Sequence, residues 1–393
     1  MVIGFFFSSI LPEIRAFKAG LMGKEKNGAG SRKSGTDRPP RPALVISRKT
    51  LSQNALSLEH LLNGLVDQGI ATALICPGDC DIEAKVPLSV EIINHPFFDL
   101  PLLARPNRKL LIEKLEKFKP TVLHCLCPSK AGLTRTVTRQ MGVPYVLAAN
   151  GFHNKWRRLA SSRRCTSVIV PAESVASNVA KTHPRFADRI RQINPGVFVE
   201  QSDHCFNGTG RLASLVTPGP ISRADELTCL LNAVRHLVID GYEFMLVIIS
   251  QGKRADSKLR EMIRDQGLSP TVVMVPKIEP ARAIFAACDI FIRALPSNSF
   301  SPQLLEAMAS GAAVAACKGG IDDLVIEDET ALVFDYGDEL SIYSALQQLL
   351  DTRELARKLA TTARRHLADN HSPSSMIEQT LEAYHHAQKW YKP

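Results

Sequence analysis

The sequence predicts an α/β protein built from two doubly wound parallel sheets, and three observations carry that prediction. Short all-apolar runs such as Ala43–Ile46, Tyr145–Ala148 and Ala313–Cys317 have the length and continuity of strands buried on both faces. Longer segments with leucine and valine at helical spacing alternate with them, joined by short connections. Gly69, Pro120 and Gly311 stand where helices would stop. A chain of 393 residues, 45% hydrophobic and only 6% aromatic, has the material for two cores of this kind.

Taken in order, Ala43–Ile46 is the first strand and Ser57–Asp67 a helix with Leu58, Leu61, Leu62 and Leu65 inward. Strands follow at Ala71–Ile75 and Ser89–Asn94, and a charged amphipathic helix at Asn107–Lys119. Thr121–His124, Tyr145–Ala148 and Ser167–Val170 read as strands, Gly132–Met141 and Ala172–Lys181 as helices, and Asn194–Val197 closes the first unit. The second unit starts near Arg211 and runs through helices at Arg223–Ile239 and Ala255–Gln266, with strands at Glu243–Ile249 and Val272–Val275. A helix at Ala281–Cys288 and a strand at Asp289–Arg293 complete the alternation. Three amphipathic helices, Asp338–Asp351, Thr352–Asp369 and Pro373–Gln388, end the chain. The expected organisation is a segment and linker over 1–42, a first Rossmann-like domain over 43–205, a second over 206–372, and a terminal helix over 373–393.

Charge is unevenly shared. Residues 1–200 carry 29 Lys and Arg against 15 Asp and Glu, and residues 201–393 carry 19 against 24. A basic first half suits an anionic membrane surface, a phosphorylated acceptor or nucleic acid. The run His153-Asn154-Lys155-Trp156-Arg157-Arg158, continued by Arg163 and Arg164, is either such a docking face or a solvated helix face. Residues 1–22 are apolar but broken by Pro12, Glu13, Arg15 and Lys18, too short a run to span a bilayer. They read as an amphipathic segment resting on a membrane or as a loose tail, followed by a Gly-, Lys-, Ser- and Pro-rich linker over 23–42. The nine cysteines are odd in number and show no paired ligand spacing, which points to small buried side chains in a reducing compartment. In His124-Cys125-Leu126-Cys127, strand alternation would divide the side chains between two faces, so core packing is expected there rather than metal.

Leu295–Val333 is the most informative stretch. Ser301–Ser310 reads as a helix with Leu304, Leu305 and Met308 on one face and Glu306 near the other, ended by Gly311. A buried strand follows, and Gly319-Gly320 stands at its C-terminal end, where backbone amides can approach a ligand. Glu306-Ala-Met-Ala-Ser-Gly311, the strand and the glycine pair together resemble the C-terminal signature of retaining glycosyltransferases of the GT-B fold, family 4 or group 1. Fainter landmarks lie in the first half, at residues 119–124, 141–146 and 193–197.

That resemblance implies two Rossmann-like domains facing a cleft, a nucleotide-sugar donor, no metal cofactor, and a glycan or lipid-linked acceptor, as in polysaccharide biosynthesis. It implies that Glu306 holds the nucleotide ribose and that the first signature glutamate falls on Asn298. The family's donor-sugar histidine falls on Asn150, with His153 nearby as a candidate replacement. The family's glycine, arginine and lysine at the start of the second domain fall on Gly219, Pro220 and Asp225. Arg223, Lys253, Arg254 and above all Lys318 are then the candidate cations for the donor diphosphate, with the Gly319 and Gly320 amides beside them. Each missing charge-assisted partner is worth about 1.5–3 kcal/mol, so two lost cations would slow transfer by roughly two to four orders of magnitude unless compensated. Two readings follow: a cytoplasmic sugar transferase, peripheral at the inner face of a membrane, in which Asn298, Asn150 and Lys318 take part in catalysis, or a GT-B pseudoenzyme that serves as a binding or scaffold subunit. A nucleic-acid binder rests on charge alone and predicts strong salt dependence.

Overall fold

The computed structural model describes residues 38–78, 86–97, 104–152, 163–200, 205–207, 210–219, 221, 223–250, 254–276 and 282–390. Residues 1–37, His153, Lys155, Arg157, Pro220 and Lys253 therefore lie outside it. The apolar runs form strands that are largely buried at the centre of each sheet and partly exposed at its edges. In the first half these are β1 (Pro42–Val45), β2 (Ala73–Cys76), β3 (Glu91–Asn94), β4 (Val122–Cys125), β5 (Tyr145–Ala148), β6 (Cys165–Val170) and β7 (Ile190–Gln192). Helices α1 (Arg48–Gln53), α2 (Ala55–Asp67), α3 (Ala104–Phe118), α4 (Ala131–Met141) and α5 (Glu173–Thr182) connect them. The second half contributes β8 (Ala213–Thr217), β9 (Phe244–Ser250), β10 (Val272–Pro276), β11 (Ile290–Arg293), β12 (Ala313–Cys317) and β13 (Leu332–Phe334). Its helices are α6 (Thr228–Ile239), α7 (Arg254–Asp265), α8 (Arg282–Ala286), α9 (Pro302–Ala309), α10 (Glu339–Asp351), α11 (Arg353–Asn370) and α12 (Pro373–Trp390).

All the strand pairs are parallel. The first sheet has seven strands in the order β3-β2-β1-β4-β5-β6-β7, and the second has six in the order β10-β9-β8-β11-β12-β13. Each therefore has a switch point beside its first strand, between β1 and β4 and between β8 and β11, where open α/β sheets hold ligands. The expected doubly wound architecture is present in both halves. Strands β7 and β13 and helix α1 were not anticipated, because two of them are three residues long and α1 carries no apolar stripe. The helix expected from Arg223 begins as a 3₁₀ turn over Ala224–Leu227 and turns α-helical only at Thr228.

Three apolar clusters hold these layers. One lines the inner faces of both sheets, from Val45 and Tyr145 to Phe291, Leu305 and Val314. A second covers the outer face of the six-stranded sheet, and a third packs α2 and α12 on the first sheet. Strand alternation divides the His124–Cys127 segment as expected. His124 joins the α12 side, where its Nδ1 lies 2.8 Å from the Tyr384 hydroxyl, and Cys125 joins the inner cluster. Helix α12 approaches α2 so closely that a Cβ on Gly64 would lie 2.4 Å from Ile377. The end of the chain is thus anchored on the first sheet. Asp289, buried ahead of β11, accepts from the Phe206 amide at 2.7 Å, the Ser214 amide at 2.8 Å and Arg211 at 2.6 Å, tying the start of the second half to its own sheet.

Candidate functional site

Helix α9 starts where Ser301 is extended and its hydroxyl accepts from the Leu304 amide at 3.2 Å, with Pro302 at the first helical position. It ends in a Schellman motif: Gly311 has φ +89°, its N–H donates to Met308, and that of Ala312 donates to Ala307. Every residue from Leu304 to Ala309 is buried, Glu306 included at 6% exposure. The face of α9 that carries Glu306, expected opposite Leu304, Leu305 and Met308, is thus buried as well, because α9 is covered by neighbouring helices as well as by its sheet. A buried carboxylate is costly and implies a purpose, structural or functional.

The glycine pair follows β12 with φ +102° at Gly319 and +92° at Gly320. A Cβ on Gly320 would fall 2.1 Å from the Ser297 carbonyl oxygen, which also accepts from the Ile321 amide at 2.7 Å. Only glycine fits this crossing of two backbones. The Gly319 amide donates to Asp322 at 2.9 Å. Asp322 is in turn paired with Arg293, whose guanidinium also donates to the carbonyls of Ile321 at 2.9 Å and Cys317 at 2.5 Å. Arg293, 5% exposed, thus braces the turn from beneath.

The two halves meet at this segment. Gly151 and Ser299 form an antiparallel bridge, in which Phe300 N–H donates to Asn150 at 2.9 Å and Phe152 N–H donates to Asn298 at 2.8 Å. The two asparagines expected near the donor sugar are therefore brought together, Asn298 exposed and Asn150 half-buried. A second tie joins Asp323 to the first turn of α5. Its carboxylate accepts from the Ser174 amide at 3.0 Å and from the Ser174 hydroxyl, at a helix start whose N-cap, Ala172, has no capping side chain. Nearby, Phe300 stacks on His371, whose Nδ1–H donates to the Pro195 carbonyl at 2.9 Å and whose pKa is lowered by burial.

Two of the candidate cations have carboxylate partners. Lys318 is half exposed and pairs with Glu327 at 3.5 Å. Arg223 pairs with Asp225 at 3.3 Å, and both are exposed. Gly219 is buried in the turn after β8, Arg254 opens α7, and Lys253 lies outside the described residues. Arg293, Asp322, Asp323 and Ser174 were not singled out from the sequence. Arg293 sits in a strand that read as apolar, and Asp322-Asp323 differ from solvated loop carboxylates only in the partners the fold supplies.

Two family models match: "Glycosyltransferase Family 4" over residues 55–201 and "Glycosyl transferases group 1" over residues 213–352. Among curated proteins, the chain is 21% identical over 318 residues to the sulfoquinovosyl transferase SQD2 of Arabidopsis thaliana, covering 72% of this chain but only 58% of that protein. It is also 21% identical over 339 residues to the lipopolysaccharide core biosynthesis glycosyltransferase LpsE of Rhizobium meliloti, covering 82% and 93% of the two chains. Among solved structures, a glycosyltransferase from Rickettsia africae superposes with a TM-score of 0.76 at 15% identity, over 89% of this chain and 99% of that one. Anabaena HepE, solved with UDP and glucose, superposes with a TM-score of 0.72 at 15% identity, over 87% and 98%. These likenesses establish the GT-B fold.

Proposed function

The chain belongs to the family 4, group 1 glycosyltransferases, and from that premise we propose that it moves a sugar from a nucleotide-sugar donor to a glycan or lipid-linked acceptor with retention of configuration. The observation that carries the reading is Glu306. A carboxylate 6% exposed, one turn into the helix that opens the crevice of the six-stranded sheet, is suited to the two hydroxyls of a ribose. In this reading residues 206–372 hold the donor and residues 43–205 face the acceptor. Asn298 and Asn150 orient the sugar, and Gly219 and the Gly319-Gly320 turn line the phosphates. HepE was solved with UDP, which supports a nucleotide at the corresponding crevice here. The basic first half favours an anionic membrane surface as the place of work, on the cytoplasmic side; no helix among the described residues is long and apolar enough to cross a membrane.

A specific observation favours a second reading, in which catalysis is weak and the chain serves mainly to bind. Arg223 and Lys318 are both paired with carboxylates of their own chain, and the Gly319 amide is taken by Asp322. A donor diphosphate must compete with those internal anions.

Calorimetric titration of UDP, GDP and ADP into wild type and Glu306→Ala tests the main reading. One nucleotide is expected to bind, and the variant to bind it at least about tenfold more weakly, since a charge-assisted hydrogen bond contributes about 1.5–3 kcal/mol. A folded protein that takes none of the three would sink the proposal.

A further inference from the structure

A cavity of about 110 Å³ lies in the first half at the C-terminal ends of β1, β4, β5 and β6. It sits beside the switch point between β1 and β4, where a second substrate would be expected in a fold of this kind. Its walls are Ile46, Leu58, Leu61, Leu126 and Ile169, and one side is closed by Phe300 and Pro302 from the opposite half. Among the described residues, no lysine, arginine, aspartate or glutamate lines it. His124, 3% exposed, also lines it, and burial lowers that imidazole's pKa to about 4, so this wall too is uncharged at neutral pH. The polar part of the lining is His124, the buried Thr380 hydroxyl and a few half-buried side chains, Thr50, Asn54, Ser57 and Asn150.

We propose that this cavity receives the apolar, non-sugar end of the acceptor, a hydrocarbon group that enters past Asn150. The proposal rests on the transferase reading above and narrows its acceptor to the lipid-linked class. A phosphate or a many-hydroxyl sugar ring placed against these aliphatic walls would lose more water than the few polar side chains replace. A hydrocarbon group loses nothing and gains burial. Asn150 belongs both to the lining and to the backbone bridge with Ser299 and Phe300, so a molecule seated at the sugar position has the cavity directly behind it. The volume sets the length. An empty apolar cavity of about 150 Å³ takes a benzene ring, so this one holds on the order of four or five carbons, and a longer chain must run out past the rim.

The test is a titration of methyl, butyl and hexyl β-glucosides into the full chain, with and without saturating UDP. Each buried methylene strengthens binding about fourfold, so butyl is expected to bind at least about tenfold more tightly than methyl. Hexyl should add little, because the cavity is then full. Ala148→Phe, which fills the cavity at a residue only 6% exposed, should bring all three to the affinity of the methyl glucoside while leaving UDP binding unchanged. Should that variant fail to fold, Ser57→Phe on α2 blocks the same space from a half-buried position. Equal affinities across the series, or a chain-length effect that survives both variants, would overturn the proposal while leaving the donor site standing. Chain-length dependence in a protein that binds no nucleotide would overturn the acceptor role as well.

Discussion

Gly320→Ala is expected to destabilise the protein by at least about 3 kcal/mol, placing it among the most damaging single substitutions available to this chain. Two independent terms act together. The backbone at φ +92° is strained for any residue with a Cβ, and the Cβ itself would fall 2.1 Å from the Ser297 carbonyl oxygen. That oxygen belongs to rigid backbone, and it also accepts from Ile321. Relief therefore requires opening the bridge between Ser297 and Gly320 and moving the loop that leads into α9. Gly210→Ala is the matched control: its φ is +80°, but among the described residues nothing lies within 4 Å of the added carbon, so only the conformational cost of about 1 kcal/mol is expected. Urea midpoints for the pair separate the two terms. Equal losses would show that the crossing at Ser297 carries no weight.

Acid is expected to weaken the first half through His124. Burial lowers its pKa from the usual 6.5 to about 4, so in the folded chain it stays neutral where an unfolded chain would take up a proton. Between those values the unfolded state binds more protons, and stability rises with pH. The stabilisation is complete above pH 6.5 and is lost progressively as pH falls toward 4. A shift of that size corresponds to about 2 kcal/mol lost between pH 7 and pH 5. The double variant His124→Phe with Tyr384→Phe removes the hydrogen-bonded pair without leaving either partner orphaned. Its denaturant midpoint should fall less between the two pH values than that of the wild type. If variant and wild type lose the same amount, the acid sensitivity has another source, such as His95, whose pKa burial also lowers to about 4.

The two predictions concern opposite faces of one design problem. Gly320 and Gly151 are positions where one backbone must come against another with no side chain between them, and both lie where the signature loop crosses its neighbours. His124 is a polar group placed where an apolar one would pack, held by a single hydroxyl from the last helix of the chain. In each case the residue type is dictated by a partner far away in sequence.

Local pattern was sufficient for the alternation of strands and helices, the left-handed glycine after α9, the glycine pair after β12 and the resemblance that named the family. Those features depend on neighbours a few residues apart, through side-chain periodicity, helix capping and the freedom of glycine, so a linear reading contains them. The burial of Glu306 was not legible, since it depends on which surfaces surround a short helix on every side. Nor was the fate of the cations. Lys318 and Arg223 are charges like any others until the fold sets Glu327 and Asp225 within reach. Arg293 gained its role only when a loop closed over the end of its strand, and Asp323 only when a helix of the first half was laid beside it. Sequence alone determined the elements and the family; tertiary structure decided the pairings, because charge pairing and burial are set by distances through space that sequence separation does not encode.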